Sequence, residues 1–155
     1  NCKVQNLLTK GSLNHLKHQL KKTPKDHFND ISKVLKKASN KKIITNVYLE
    51  DWSNGMKNSK KYVFESLNFL YKQNIKRLLL PDTLGILTHY EVYQFIDEIK
   101  KYLNNKKISS DYISIINASQ IINNNDSPSR VFKTKPDSSI VKCINLLKNK
   151  EVEFS

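Results

Sequence analysis

Ile43-Ile44-Thr45-Asn46-Val47-Tyr48-Leu49 runs without a break into Glu50-Asp51-Trp52-Ser53-Asn54-Gly55. An apolar, β-branched run that ends in small polar residues reads as a buried strand delivering a loop. Two more segments repeat the pattern. Cys2 to Leu8 leads into Thr9-Lys10-Gly11-Ser12, and Ile75 to Leu80 leads into Pro81-Asp82-Thr83-Leu84-Gly85.

Helical signals fill the gaps between these strands. Residues 13–22 read as a short helix. Thr23 is an N-cap with Pro24 at the first helical position and Asp26 in the first turn. Phe28, Ile31, Val34, Leu35 and Ala38 then follow at helical spacing and are expected to be buried. Ser59 is expected to cap a helix with the stripe Tyr62, Val63, Leu67 and Leu70. Thr88 and Glu91 make a capping box for a helix carrying Val92, Phe95, Ile96, Ile99 and Leu103. Strands alternating with helices imply an α/β fold with a parallel sheet covered by helices. In such sheets function gathers in the loops after the strands' carboxyl ends, here 9–12, 50–58 and 81–87.

The character changes after residue 104. Residues 108–122 read as β-like, residues 123–128 as a turn, and Arg130 to Thr134 as a hairpin partner strand. Asp137 is expected to cap a last helix with Ile140, Val141, Ile144 and Leu147 on one face. The expected organisation is therefore a βα domain over 1–105 and a small α+β tail over 106–155.

Composition narrows the function classes. The chain has 155 residues, 27 Lys and Arg against 14 Asp and Glu, and a net charge of +13; its mean hydropathy is −0.58. Only Arg77 and Arg130 are arginines, and the lysines are spread along helix-like segments. A dedicated nucleic-acid binder concentrates its charge and interleaves stacking aromatics, so solvated faces are the simpler reading. No run reaches the roughly 18 apolar residues a membrane span needs. Cys2 and Cys143 are too few for a disulfide framework or a zinc site, and a reduced, cytoplasmic setting is expected. The chain opens Asn1-Cys2-Lys3 without an initiator Met or a secretory leader, and is expected to be a piece of something longer.

The three strand-end segments Leu7 to His15, Tyr48 to Met56 and Leu80 to Leu87 resemble 2-isopropylmalate synthases. The resemblance runs over about residues 4–100 and implies a partial (β/α)₈ (TIM) barrel of about three βα units. It also implies an acyltransferase condensing acetyl-CoA with 2-oxoisovalerate in leucine biosynthesis, with a divalent metal, Mg or Mn, polarising the ketone. Citramalate and homocitrate synthase-like enzymes are the neighbouring alternatives. A basic nucleic-acid-binding module is the alternative from another class. By resemblance His15 would exchange protons with a developing oxyanion, and Glu50 would orient water, metal shell or substrate. Thr83 would hydrogen-bond the oxo acid's carboxylate, with Ser12, Asn54 and Asp82 in support. His15 alone reads as an ordinary helix histidine, Glu50 and Asp51 as a helix-start acid pair, and Trp52 as packing. His18, His27 and His89 read as surface helix residues.

The same resemblance exposes what is missing. The Asp-Arg-Glu-like motif and the His-x-His pair that hold the family's metal are absent, so no metal ligand is assigned in this chain. Asp111 to Ile115, Phe132 to Thr134 and Asp137 to Ser139 faintly resemble the family's C-terminal regulatory domain. The expectation is an incomplete enzyme, inactive alone, that associates with itself or with a complementing chain; the partners implied are a 2-oxo acid and acetyl-CoA.

Overall fold

The computed structural model describes residues 3–107, 116–149 and 151. The chain divides into two compact units, Asn1–Lys101 and Tyr102–Ser155.

In the first unit, strands β1 (Val4–Lys10), β2 (Ile44–Glu50) and β3 (Arg77–Leu79) form a parallel sheet in the order β1-β2-β3. The register places Val4 beside Ile44, Leu8 beside Tyr48 and Lys10 beside Glu50, with Tyr48 beside Leu79 on the other side. Between β1 and β2 the chain forms α1 (Leu13–His15), a π-helical turn (Leu16–Leu20) and α2 (Pro24–Asn40). Helices α3 (Trp52–Asn58) and α4 (Lys60–Tyr71) join β2 to β3, and α5 (His89–Asn105) follows.

Side chains alternate across a strand, so the register sorts the sheet into two faces. Thr9, Thr45, Val47 and Leu49 lie on one face and are buried. The core there includes Ile31, Leu35 and Ala38 of α2 and Tyr62, Val63, Leu67 and Leu70 of α4. The other face leaves Val4, Leu8 and Ile44 at 39%, 60% and 47% exposure. Asn46, on that same face in the central strand, is fully buried, so the face is open only in part. The three strands make an α/β sheet that does not close on itself. The barrel stays an expectation of the resemblance.

Local signals act where they were read. Thr23 Oγ1 accepts from the Asp26 N–H at 3.2 Å and caps α2. At Thr88 and Glu91 the capping is reciprocal: the Thr88 N–H donates to Glu91 Oε2 at 2.9 Å, and the Glu91 N–H donates to Thr88 Oγ1 at 3.2 Å. Ser59 does not cap α4 with its side chain; its hydroxyl accepts from the Leu13 N–H instead, at 3.2 Å.

Several expectations need correction. Residues 52–58 are helix α3, not loop, because Trp52 and Met56 have a core to enter. The buried stripe of α2 is turned from the expected one. His27 is buried, Val34 is exposed at the surface, and Phe28 stacks on Phe69 with 4.6 Å between ring centroids. Burial of His27 follows from a polar partner. The Tyr62 hydroxyl donates to the Lys10 carbonyl at 3.0 Å, and His27 Nδ1 lies 2.9 Å from the Tyr62 hydroxyl oxygen.

In the second unit the expected strand at 130–134 is helix α6 (Val131–Thr134). The Ser127 carbonyl accepts from the Arg130 and Val131 N–H groups at 2.9 and 3.1 Å, starting a helical turn that five residues of apparent alternation cannot outweigh. Of the β-like segment 108–122, residues 108–115 lie outside the described residues. Residues 116–119 are irregular, and Gln120 forms an isolated parallel bridge to Ser138. Helix α7 (Ser139–Lys148) buries Val141 while leaving Ile140 and Ile144 exposed. Asp137 accepts from the Ser119 N–H and hydroxyl and pairs with Lys142 at 2.7 Å. Cys143 is an exposed free thiol. Among the described residues no helix is long and apolar enough to cross a membrane.

Two expected outcomes test this packing. A Cβ at Gly55 would lie 2.1 Å from the Gly11 carbonyl oxygen and 2.7 Å from Val63. Gly55→Ala is therefore expected to cost about 1–3 kcal/mol or more, read as a lower urea midpoint. Burial, with Lys22 and Lys10 adding repulsion that Asp30 only partly offsets, holds the His27 imidazole below its ordinary 6.5. A lowered folded value means the unfolded chain binds the proton more tightly. Stability is then full above 6.5 and falls as pH drops through the folded value. A His27→Gln variant is expected to show a flatter stability profile between about pH 7 and about pH 5, where carboxylates barely titrate.

Candidate functional site

The carboxyl ends of β1 and β2 come together because two glycines allow it. The Gly11 N–H donates to the Glu50 carbonyl at 2.6 Å, extending the ladder one residue past the strands. A Cβ at Gly11 would lie 2.9 Å from Leu49 O and from the Trp52 backbone, so the close approach requires glycine here.

Asp51 occupies the centre of the cluster. Its backbone is left-handed, with φ 63° and ψ 25°, a conformation that Asp tolerates better than most residues. Its N–H donates to Thr83 Oγ1 at 3.0 Å, tying the loop after β3 to the end of β2. The side chain is 2% exposed. Asp51 Oδ2 accepts from the Ser12 hydroxyl at 2.6 Å, and Oδ1 accepts from Asn54 Nδ2 at 2.7 Å. His15 Nε2 stands 3.5 Å from Oδ2, within ion-pair reach but long for a hydrogen bond. His15 Nδ1 is buried and has no hydrogen-bond partner among the described residues. Ser12 Oγ also accepts from the His15 N–H at 3.2 Å, capping α1.

Four of the six expected residues, Ser12, His15, Asn54 and Thr83, thus meet around Asp51. The other two are engaged elsewhere. Glu50 pairs with Lys10, its register neighbour on the sheet face. Asp82 accepts from Ser53 Oγ at 2.6 Å and from the Ile86 and Leu87 N–H groups at 3.2 and 2.9 Å. Burial opposes the Asp82 charge, but these hydrogen bonds, with Lys57 nearby, outweigh it and hold the carboxyl below its usual range. Gly85 sits at φ 61° and lets this loop turn.

Asp51 and Lys10 were not expected in these roles. The spacing Asp51-x-x-Asn54 at a helix start was the available signal, but it reads equally as capping. Trp52 packs as expected, edge-on to Phe95 with 6.2 Å between centroids, although its buried indole nitrogen has no hydrogen-bond partner among the described residues. Among the described residues no three His, Cys, Asp or Glu side chains gather as a metal shell. The divalent metal implied by the resemblance therefore has no fitting donor set here and enters no step below.

No family model matches the sequence. It is similar to a phosphate acyltransferase of Halothermothrix orenii, 40% identical over 75 residues, which cover 45% of this chain and 22% of that protein. A phosphate acyltransferase of Dictyoglomus turgidum is 42% identical over 57 residues, covering 37% of the chain and 17% of that protein. One of Clostridium novyi is 37% identical over 57 residues, covering 37% and 16%. The matched segments span about a fifth of the length of these relatives or less.

These relatives correct the resemblance to 2-isopropylmalate synthases. Condensation of acetyl-CoA with 2-oxoisovalerate, its citramalate and homocitrate variants, a place in leucine biosynthesis and the nucleic-acid alternative are all unsupported by them. Acyl transfer is the element common to both readings. The misreading has a physical source. Gly11 answers a close backbone approach, Asp51 a left-handed turn, and Asp82 and Thr83 a loop that must be tied down. Short strand-end motifs of this kind follow from packing a parallel sheet, whatever the chemistry.

Removing one donor to Asp51 should be felt in stability. Ser12→Ala leaves Oδ2 of a buried carboxylate short of a partner and uncaps α1, with an expected loss of about 1–3 kcal/mol in urea unfolding. An unchanged midpoint would show that Ser12 does not hold the cluster.

Proposed function

We propose that the chain is a segment of an acyltransferase that uses phosphate as the acyl acceptor. The observation that carries this reading is identity of 37–42% to proteins named phosphate acyltransferase. In such a transfer a phosphate oxygen attacks the acyl carbonyl carbon, an acyl phosphate forms, and the leaving group departs with a proton. At the strand ends, His15 beside Asp51 is the residue suited to moving that proton. The ammonium of Lys10 is held by Glu50.

A chain that matches only about a fifth of its relatives' length is not expected to turn over alone. The open sheet face supports the same view, since Val4, Leu8 and Ile44 are exposed where a larger protein would cover them. We read the sheet as a slice of a larger one that a complementing chain or a second copy completes. We place the chain in the cytoplasm, in keeping with its exposed free Cys143.

The test is a chimera. The matched segment of this chain replaces its counterpart in the Halothermothrix orenii protein, and phosphate-dependent release of thiol from an acyl thioester is followed. Retention of activity within about tenfold of the parent, some 1.4 kcal/mol in barrier, is expected. A chimera that folds yet releases no thiol in response to phosphate would remove the reading.

A further inference from the structure

Strand β1 is an outer strand: β2 lies on one side of it, and among the described residues no strand lies on the other. In a parallel ladder, alternate residues aim both main-chain groups at the same neighbour. The Lys3 carbonyl accepts from the Ile44 N–H at 2.9 Å and the Gly11 N–H donates to the Glu50 carbonyl, so the odd-numbered residues of β1 serve β2. The even-numbered ones face outward. Lys10 shows that direction, since its carbonyl is the one the Tyr62 hydroxyl reaches. The main-chain N–H and C=O groups of Asn6 and Leu8 are left on the open edge, at the spacing an added strand would meet.

Both flanks of this edge offer room for side chains. On the covered face, a groove of about 360 Å³ runs between Gln5 and the last turns of α2. Val34, Ala38 and Ile43 line it, Val34 at 40% exposure, with Lys37 and Lys41 beside them. On the opposite face stand the exposed Val4 and Leu8. Edge strands are usually blunted by charge, by Pro or by a bulge. Gln5 to Thr9 carries no charge and no Pro, and its register is unbroken. The charge stands beside the strand instead. Ile31 to Leu49 holds five lysines and no Asp or Glu. Lys37 and Lys41 are exposed and make no ion pair among the described residues.

From this edge we propose that β1 receives an extended acidic segment of another protein as an added strand, one that alternates carboxylates with apolar residues. Side chains alternate across a strand. Such a segment therefore sends its carboxylates over the groove to Lys37 and Lys41, and its apolar side chains to Val4 and Leu8. Main-chain hydrogen bonds to Asn6 and Leu8 supply affinity, and the two flanks supply specificity. Charge argues against a second copy of this chain as the occupant. Its own β1 and α2 would bring lysines against the same cations, in a protein of net charge +13. In completing the sheet, the added strand deepens the reading of a slice of a larger one, but its binding does not depend on acyl transfer.

The test titrates the full chain with a peptide as long as β1, 7 residues, that alternates Glu with Val. Amide shifts and the heat of binding are followed at constant ionic strength. One saturable site is expected, with shifts along residues 4–8 and 34–41. A peptide of the same composition with its Glu residues grouped at one end is expected to bind more weakly. Leu8→Pro removes an outward N–H, which an edge strand tolerates, and is expected to weaken binding by about tenfold. Lys37→Gln combined with Lys41→Gln leaves the strand untouched and is expected to weaken binding by about threefold to tenfold. Lys36→Gln, at an exposed lysine of α2 outside the groove, is expected to leave it unchanged. Equal losses at Lys36 and at the pair, equal binding of the grouped peptide, or shifts scattered over the surface would mean diffuse attraction to a basic chain and would overturn the proposal. Self-association of the free chain that Leu8→Pro abolishes would seat a second copy on the edge and overturn it as well. Because peptide binding and thiol release are read separately, either proposal can fail without the other.

Discussion

The contact between Gly11 and Gly55 is the constraint on which the rest of the first unit depends. The Gly11 carbonyl oxygen occupies the position where a side chain at residue 55 would begin, 2.1 Å from an ideal Cβ. With both side chains absent, α3 can sit directly on the end of β1. That seating brings Ser12 and Asn54 to Asp51 from opposite sides and places Leu13 within reach of Ser59. Any larger residue at either position would push α3 outward and open all of these contacts together.

Two polar regions on this scaffold differ in how fully they are satisfied. Around Asp51 nearly every polar group is matched: two side-chain donors on the carboxylate, Thr83 on the backbone N–H, and the Asp51 carbonyl accepting from Gly55. A buried carboxylate tolerates nothing less, because an unpaired charge in a low-dielectric interior is costly. The outer edge of β1 carries main-chain groups with partners still to find, and there solvent or an added strand must complete them. Rigidity and binding capacity thus meet on one strand, which ends at the cluster and opens along its middle.

Legibility along the chain followed how local each cause was. Thr23 with Pro24 and Asp26, and Thr88 with Glu91, contain both partners of their hydrogen bonds within four residues, and the helices begin where those pairs stand. The apolar runs before Lys10, Glu50 and Leu80 marked the strands for the same reason. His27 looked like a surface histidine because the hydroxyl that draws it inward belongs to Tyr62, 35 residues away. Residues 52–58 looked like a loop because only the packed core explains why Trp52 and Met56 are inward. Ser12, His15, Asn54 and Thr83 were found as candidates. The residue they surround was not, since Asp51 becomes central only when three loops meet.

By itself, then, the sequence determined the alternation of strands and helices, the helix starts and the loops where polar chemistry gathers. These follow from periodicity and from hydrogen bonds closed within a turn or two of chain. The tertiary structure decided which of those polar residues touch, that Glu50 goes to Lys10 and Asp82 to Ser53, and that an open strand edge lies beside a lysine-rimmed groove. Those outcomes depend on distances between residues such as Ser53 and Asp82, 29 positions apart, or Lys10 and Glu50, 40 apart. Such distances are set by how closely two glycines let a helix approach a strand, and no local pattern carries them.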